Sequence, residues 1–185
     1  MASSRKSKPS PKATLQAASA AAKRIGLALS GGLDSVVLLD AVCKTVQTNP
    51  NNSTEIWVFH IHHGLQKPAD QWLEFCEKLA KKYRVHFDFR LLHFADQSQG
   101  NIEARARAER YDALTDLCIE HGIEDLLLAH HQNDQAETVL LQLLRGSGVS
   151  GLSGMPLNRV NAKDNQSITL WRPLLNLSKS ELETY

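Results

Sequence analysis

The sequence predicts an α/β fold, a doubly wound and mainly parallel sheet with helices on both faces. Short apolar runs alternate with longer segments of helical periodicity along the 185 residues, and polar motifs follow the ends of those runs. Strands that alternate with helices form right-handed βαβ units and therefore a parallel sheet. A chain of this length, with 42% apolar residues, has the size of one domain with its own core.

Each element of this fold follows from a local pattern. Apolar, β-branched and aromatic runs predict strands at residues 25–29, 55–62, 85–92, 125–130 and 168–174. Helical spacing predicts helices at residues 34–46, 68–83, 101–121 and 134–145. Ser178 and Glu181 form a capping box that opens a last helix, and the glycine- and serine-rich residues 146–154 predict a loop.

The motifs that carry polar chemistry all fall at one end of the predicted strands. Residues 30–32, 60–64 and 130–131 follow the first, second and fourth strands. Ligands of parallel sheets bind beyond the carboxyl ends of the strands. We therefore expect these three segments to share one site.

Charge is distributed unevenly. Residues 1–24 contain six basic and no acidic side chains, which leaves 15 basic against 20 acidic residues in the remainder. We expect residues 1–23 to be a basic, disordered arm and residues 24–185 to be the folded domain. Such an arm can contact nucleic-acid phosphates, and a simple solvated tail explains it as well.

The composition excludes several classes of protein. No apolar run approaches the roughly 20 residues that span a bilayer, and no secretory signal is present, which favours a cytoplasmic protein with no membrane partner. Cys43, Cys76 and Cys118 form no C-x-x-C pair, so a zinc knuckle or a cysteine-ligated cluster is not expected. All three lie in predicted helices, where a small buried thiol is the usual role.

The segment Ser-Gly-Gly-Leu-Asp-Ser joins the first strand to its helix, at Ser30, Gly31, Gly32, Leu33, Asp34 and Ser35. Glycines let the backbone approach a ligand, and a helix N-terminus offers unpaired N–H groups, so the segment predicts a phosphate-binding loop. An acid beside phosphates needs a bridging cation, and Mg²⁺ held by Asp34 fits that need. The alternative is a plain turn with Asp34 or Ser35 near the helix cap.

Two other nucleotide motifs are excluded. No lysine follows the glycines, so the loop is not a Walker A motif and lacks the usual tools for chemistry at a γ-phosphate. Residues 146–151 match G-x-G-x-x-G, but they follow a predicted helix, whereas a dinucleotide site requires a strand first.

Histidines end the second predicted strand, at His60, His62 and His63. Alternation along the strand places His60 and His62 on one face and His63 on the other. A zinc site would need an acid or cysteine at ligand spacing, and none is present. Neutral imidazoles that line a nucleotide or base pocket are the favoured interpretation.

Two arginines and two acids are the remaining candidates. Arg107 and Arg110 share a face of the long helix and can bind phosphate through their guanidinium forks, although Glu103 offers Arg107 a surface ion pair instead. Asp134 and Glu137 begin a later helix beside His130 and His131. The helix dipole stabilises an acid at that position whether or not it has a function.

The loop at residues 30–35 resembles the PP-loop of the N-type ATP pyrophosphatases, which have the adenine nucleotide alpha hydrolase-like fold. Residues 60–65, 101–111, 129–138, 144–148 and 151–155 further resemble the tRNA(Ile)-lysidine synthetase family. The resemblance runs from about residue 24 to residue 174. Asn133 departs from it, because the family more often has an aspartate there, which leaves Asp134 as the available carboxylate.

The resemblance implies a ligase that uses ATP, Mg²⁺ and lysine to modify the wobble cytidine of tRNA(Ile) with a CAU anticodon. The cytidine oxygen at carbon 2 would attack the α-phosphate and release pyrophosphate, and the lysine amine would then displace AMP. It implies that residues 30–35 cradle the phosphates, that Asp34 orients Mg²⁺, and that Arg107 and Arg110 clamp a phosphate or the adenylate. His130, His131 and Asp134 would border the base and lysine pocket.

Two alternatives stay open at this point. A tRNA thiolation enzyme has the same loop, but the scattered cysteines argue against it. The chain could also be an ATP-binding module without autonomous activity, because members of the family continue into C-terminal domains that hold tRNA and we expect this chain to stop before them. A homodimer through the helical faces is compatible with such a sheet.

Overall fold

The structure is a computed structural model that describes residues 24–48, 53–62, 67–92, 102–146 and 153–185. The predicted arm at residues 1–23, His63 and most of the loop at 146–154 lie outside the described residues, and their conformation stays a prediction. The side chains of residues 67, 68, 102 and 103 are not described either, which leaves the pairing of Glu103 with Arg107 untested.

Six strands and five helices make up the described part of the chain. The strands are β1 (Arg24–Ala28), β2 (Glu55–His62), β3 (His86–Leu91), β4 (Asp125–Leu127), β5 (Asn158–Lys163) and β6 (Gln166–Trp171). The helices are α1 (Leu33–Gln47), α2 (Lys67–Tyr83), α3 (Ile102–Glu120), α4 (Gln132–Leu144) and α5 (Lys179–Thr184).

The strands form one sheet in the order β3-β2-β1-β4-β6-β5. All neighbours are parallel except β5 and β6, which are antiparallel. The chain moves outward from β1 to β3 and then returns to place β4 on the other side of β1. This reversal creates a crevice at the carboxyl ends of β1 and β4, the place where ligands bind in such folds.

Hydrophobic cores cover both faces of the sheet, as a doubly wound fold requires. On one face, α1, α2 and α5 pack on the sheet through residues such as Val42, Cys76 and Leu182. On the other face, α3 contributes Leu114, Leu117 and Cys118. The helix α4 contributes no fully buried side chain, and its last turns expose Leu140, Leu141, Leu143 and Leu144.

The structure differs from the sequence prediction at the last two strands. The edge strand β5 was not predicted, because its sequence is polar and mostly exposed and shows no apolar face. It joins β6 through Asp164 and Asn165, whose φ angles of 51° and 62° are those of a tight hairpin turn. The strand predicted at 168–174 therefore begins earlier and ends at Trp171.

No helix in the described ranges is both long enough and apolar enough to cross a membrane.

Candidate active site

The loop between β1 and α1 is closed by its own hydroxyl groups. Ser35 is buried and donates its hydroxyl to the Gly32 carbonyl at 2.8 Å, and its Oγ lies 3.1 Å from that of Ser30. The Gly32 amide donates to the Ser30 hydroxyl at 3.3 Å. These bonds fix the loop around the N-terminus of α1, whose unpaired N–H groups are suited to an anion.

The two glycines of the loop have different explanations. Gly31 has a φ of 89°, and a Cβ atom there would lie 2.5 Å from the Trp72 ring, so the fold itself requires glycine. Gly32 is the extended N-cap of α1, and a Cβ atom would meet only the Ser30 hydroxyl at 3.5 Å. Neither strain nor crowding explains Gly32, which favours the close approach of a ligand as its reason.

Asp34 stands in the first turn of α1 with one oxygen buried and unpartnered. Its Oδ1 has no hydrogen-bond partner among the described residues, and its Oδ2 lies 3.5 Å from Nε2 of His131. An unpaired buried carboxylate oxygen is costly. A hard cation such as Mg²⁺ takes carboxylate oxygens as ligands, so Asp34 fits the metal role that the sequence predicts.

His131 connects this loop to α4. It is the N-cap of α4: its Nδ1 accepts a bond from the Asn133 amide at 3.2 Å, and its backbone amide donates to Asp134 Oδ2 at 2.8 Å. Because Nδ1 accepts, the ring proton sits on Nε2, which lies 3.5 Å from Asp34 and 3.6 Å from Asp134. One imidazole N–H is therefore placed between two carboxylates. Asp134 has the helix-capping role as well as a place at the site.

Arg107 and Arg110 approach the site from α3. Arg107 lies over the Tyr111 ring, with its guanidinium carbon 5.6 Å from the ring centroid. None of the hydrogen bonds or ion pairs found in the described residues engages either guanidinium. Within the described residues both guanidinium forks are without a carboxylate partner, and such forks bind phosphate or carboxylate groups bidentately.

His130 is the most strongly perturbed titratable group of the site. Burial, reinforced by the positive charges of Arg172, Arg107 and Arg110, lowers its pKa to about 4, while Asp134 opposes the shift. The side chain is therefore uncharged at neutral pH. Its Nδ1 atom is buried and has no hydrogen-bond partner in the described part of the chain.

These groups surround one cavity of about 370 Å³ at the carboxyl ends of β1 and β4. Most of the predicted site residues line it: Ser30, Asp34, Ser35, Arg107, Arg110, His130, Asp134 and Glu137. Leu29, Phe59, Ile61 and Leu128 supply apolar surface. Gly31, Gly32, Leu33 and His131 are not among the lining residues, and the His131 side chain is buried.

The histidines of β2 do not line this cavity, since neither His60 nor His62 is among its lining residues. His60 is buried, its Nδ1 lies 2.8 Å from the Leu29 carbonyl, and burial lowers its pKa. The Nε2 atom of His62 lies 2.9 Å from Asp70 Oδ1. His60 therefore supports the end of β1 from behind the cavity, and His62 ties β2 to α2.

The three cysteines are free and buried, as the sequence predicts. Burial raises the pKa of Cys43 to about 11 and those of Cys76 and Cys118 to about 12. Thiols in this state are poor nucleophiles and poor metal ligands. Among the described residues, no three or more His, Cys, Asp or Glu side chains are grouped so that they could hold a metal ion.

Three residues that shape the cavity were not singled out from the sequence. Gln135 makes two hydrogen bonds to the backbone of Met155: its Nε2 donates to the carbonyl at 2.9 Å, and its Oε1 accepts from the amide at 2.6 Å. Arg172 is buried and donates to the Pro156 carbonyl at 2.9 Å. Together they hold Met155 as a wall of the cavity. No sequence pattern identifies these roles, because they rest on backbone contacts that only the folded chain creates.

Residues 6–185 match the PP-loop domain family, and the chain therefore belongs to it. Among curated proteins, the tRNA(Ile)-lysidine synthase of Hydrogenovibrio crunogenus is 43% identical over 159 residues, and that of Haemophilus ducreyi is 46% identical over 161 residues. Each match covers 86% of this chain but only 36% and 34% of those proteins, respectively. The chain thus spans about a third of the length of the relatives it matches.

Solved structures confirm the fold. The U34-tRNA thiolase NcsA from Methanococcus maripaludis, which has a [4Fe-4S] cluster, matches 94% of this chain and 60% of its own with a TM-score of 0.76. NMN synthetase from Francisella tularensis matches 95% of this chain and 68% of its own with a TM-score of 0.54. Sequence identities of 16% and 15% show a shared fold and nothing further about chemistry.

Proposed function

We propose that the chain is the ATP-binding catalytic domain of a tRNA(Ile)-lysidine synthase that acts in the cytoplasm. The observation that carries the proposal is the single cavity in which the loop of Ser30, Asp34 and Ser35 meets Arg107, Arg110 and Asp134. The similarity to curated synthases extends over 86% of this chain, which supports the assignment of these residues to one reaction.

In this proposal the loop holds the phosphates of ATP. The N-terminus of α1 donates to the β- and γ-phosphates, which leave together as pyrophosphate, and the hydroxyls of Ser30 and Ser35 hold the loop closed around them. Mg²⁺ would be held through Asp34, and when bound it neutralises charge on the departing phosphates. Arg107 and Arg110 bind the α-phosphate, where the cytidine oxygen attacks, and later hold the adenylate.

The opposite side of the cavity would receive lysine and the target cytidine. Asp134 and Glu137 supply negative charge for the ammonium group of lysine, in a cavity that Arg107 and Arg110 also line. A cavity lined by both signs suits a zwitterionic amino acid better than a second nucleotide. Holding the amine beside the adenylated base converts the second step into an effectively unimolecular reaction.

The test uses ATP labelled at the α-phosphate, with Mg²⁺, lysine and a tRNA(Ile) transcript that has a CAU anticodon. We expect AMP and pyrophosphate to appear only with tRNA present, and labelled lysine to enter the tRNA. A transcript with a CAG anticodon is the matched control and should give neither. Release of ADP would contradict the proposal, because it would mean cleavage at the γ-phosphate.

A second candidate function is that of an ATP-binding module without autonomous activity. The observation that favours it is the charge of residues 25–185, where 15 basic side chains stand against 20 acidic ones, a balance unfavourable for binding tRNA phosphates. The same assay separates the two functions: ATP that stabilises the protein without any AMP formation identifies the module.

Size-exclusion chromatography with light scattering would test the proposed homodimer.

A further inference from the structure

Two buried side-chain nitrogens at the ends of neighbouring parallel strands have no hydrogen-bond partner among the described residues. His130 lies shortly after β4, and its Nδ1 is buried without a hydrogen bond to any described residue. Arg172 follows β6 directly, and its Nε is in the same condition. Unpartnered buried polar atoms are rare in native proteins and mark positions where something else satisfies them or where charge is fixed on purpose.

Arg172 is a buried cation without a described counter-ion. Its side chain is 4% exposed, and its one hydrogen bond in the described part of the chain goes to the Pro156 carbonyl at 2.9 Å. None of the ion pairs between described residues includes it. Burying a guanidinium in this way is unfavourable unless its charge acts on a neighbouring group or a bound anion.

The surroundings decide which nitrogen of His130 carries the proton. Positive groups reach the imidazole from the end of β6, through Arg172, and from α3, through Arg107 and Arg110, while Asp134 on α4 is the negative group. A lone pair on the buried nitrogen is favoured by adjacent cations, whereas an N–H there would be repelled and unpaired. The proton therefore belongs on Nε2, the other ring nitrogen.

We propose that His130 binds the nucleotide as an uncharged hydrogen-bond donor, with its Nε2–H directed to a phosphoryl oxygen in the cavity and its buried Nδ1 left unprotonated in the positive field to which Arg172 contributes. Arg172 is then a positioning residue that acts through His130. The inference rests on the proposed function only in taking ATP as the ligand of the cavity. A pKa of about 4 agrees with this role, because such an imidazole is too weak a base to accept the proton of the lysine amine.

Histidine nitrogen NMR of the free 185-residue chain tests the tautomer directly. We expect His130 to be protonated at Nε2 and to stay neutral down to about pH 5. Arg172→Met should raise the pKa of His130 toward 6.5, and Arg172→Lys, which keeps the charge, should leave it low. A proton on Nδ1, or a pKa near 6.5 in the parent protein, would overturn the inference.

Titration with ATP and Mg²⁺, followed by thermal stabilisation, tests the donor role without tRNA. The amide nitrogen of glutamine can reach the position of Nε2, whereas that of asparagine replaces Nδ1. We expect His130→Asn to weaken ATP binding about tenfold, the effect of one lost hydrogen bond to a charged group, and His130→Gln to weaken it less. His86→Asn, an exchange at an exposed histidine of β3, should have no effect.

The outcomes separate this inference from the proposed function. Equal losses for the two His130 variants, or no loss in either, would overturn the donor role even if lysidine forms. The expected order of affinities together with no AMP formation would support the donor role and reject the synthase activity. An ATP titration without any stabilisation of the parent protein would overturn the inference at once.

Discussion

Asp34 has the least satisfied side chain of the phosphate loop, and that condition makes a prediction at the scale of one residue. With Oδ1 buried and unpartnered, Asp34→Asn removes an unfavourable charge, so the free energy of unfolding should stay equal or rise slightly in the absence of ligand. Stabilisation by ATP and Mg²⁺ should be lost, because a neutral amide is a poor ligand for Mg²⁺.

The measurement is the melting temperature with and without ATP and Mg²⁺. Asp164→Asn is the matched control, since Asp164 is exposed in the β5–β6 turn and asparagine accepts its positive φ angle. A full ATP response in Asp34→Asn would contradict the metal-binding role that we propose for Asp34.

Gln135 makes a second prediction at this scale. Its amide accepts from and donates to the backbone of Met155, so Gln135→Ala leaves two backbone groups without partners. We expect the free energy of unfolding to fall by about 1–3 kcal/mol and affinity for ATP to fall because the Met155 wall moves. Urea unfolding and ATP titration measure the two effects. Unchanged values in both would show that the two Gln135 hydrogen bonds do not hold Met155 in place.

At the scale of the element, α4 and α5 begin with the same capping box. Asp134 is the third residue of α4 and Glu181 the third residue of α5, and the side chain of each accepts a hydrogen bond from the backbone amide of its helix's N-cap residue. Asp134→Ala should therefore lower the free energy of unfolding by about 1 kcal/mol, and Glu181→Ala should lower it as well. Only Asp134→Ala should also abolish AMP formation, because only Asp134 lines the cavity.

Chemical denaturation of both variants and the labelled-ATP assay separate capping from chemistry. If Asp134→Ala forms AMP as fast as Glu181→Ala does, Asp134 acts only as a helix cap.

The elements also show where sequence patterns succeed and fail. Strand β2 was predictable because it is an apolar run that is buried almost throughout, and helix α1 because its buried apolar residues recur with helical spacing. Helix α5 was predictable from its capping box, Ser178 with Glu181. Strand β5 was not, since it is held by partners distant in sequence: Asn161 donates to Thr115 at 2.9 Å, and Lys163 pairs with Asp116 of α3. An exposed edge strand has no apolar period to read.

For the whole molecule, buried histidines make stability depend on pH. The pKa values of His60 and His130 are lowered from 6.5 by burial, the latter to about 4. At a pH between the ordinary histidine pKa of 6.5 and the lowered pKa of the folded state, the unfolded chain binds protons that the folded chain does not. The free energy of unfolding therefore falls as the pH falls from about 7 to 4. His130→Gln should reduce this slope.

Urea unfolding at pH 7.5, 6 and 5 measures the slopes. Identical pH dependence in the parent and His130→Gln would mean that His130 titrates normally in the folded state.

The position of the site was predictable at this scale, although the hydrogen bonds that support it were not. Motifs at the ends of alternating strands had to converge on one edge of the sheet, and the structure places eight of the predicted candidates around one cavity. The roles of His60 and Arg172 could not be predicted, because they depend on contacts with Leu29 and Pro156 that only the folded chain creates. Pattern identifies which residues meet; burial and charge decide what they do.

The contact between Trp72 and Gly31 has an optical consequence. Trp72 is 47% exposed and its ring lies against the phosphate loop, whereas Trp57 stacks between His86 and His121, and Trp171 donates to Asp125. Indole emission shifts with the polarity around the ring, so filling the loop with triphosphate should change the fluorescence of Trp72 alone. The protein therefore carries a built-in reporter of nucleotide occupancy, which Trp72→Phe should silence.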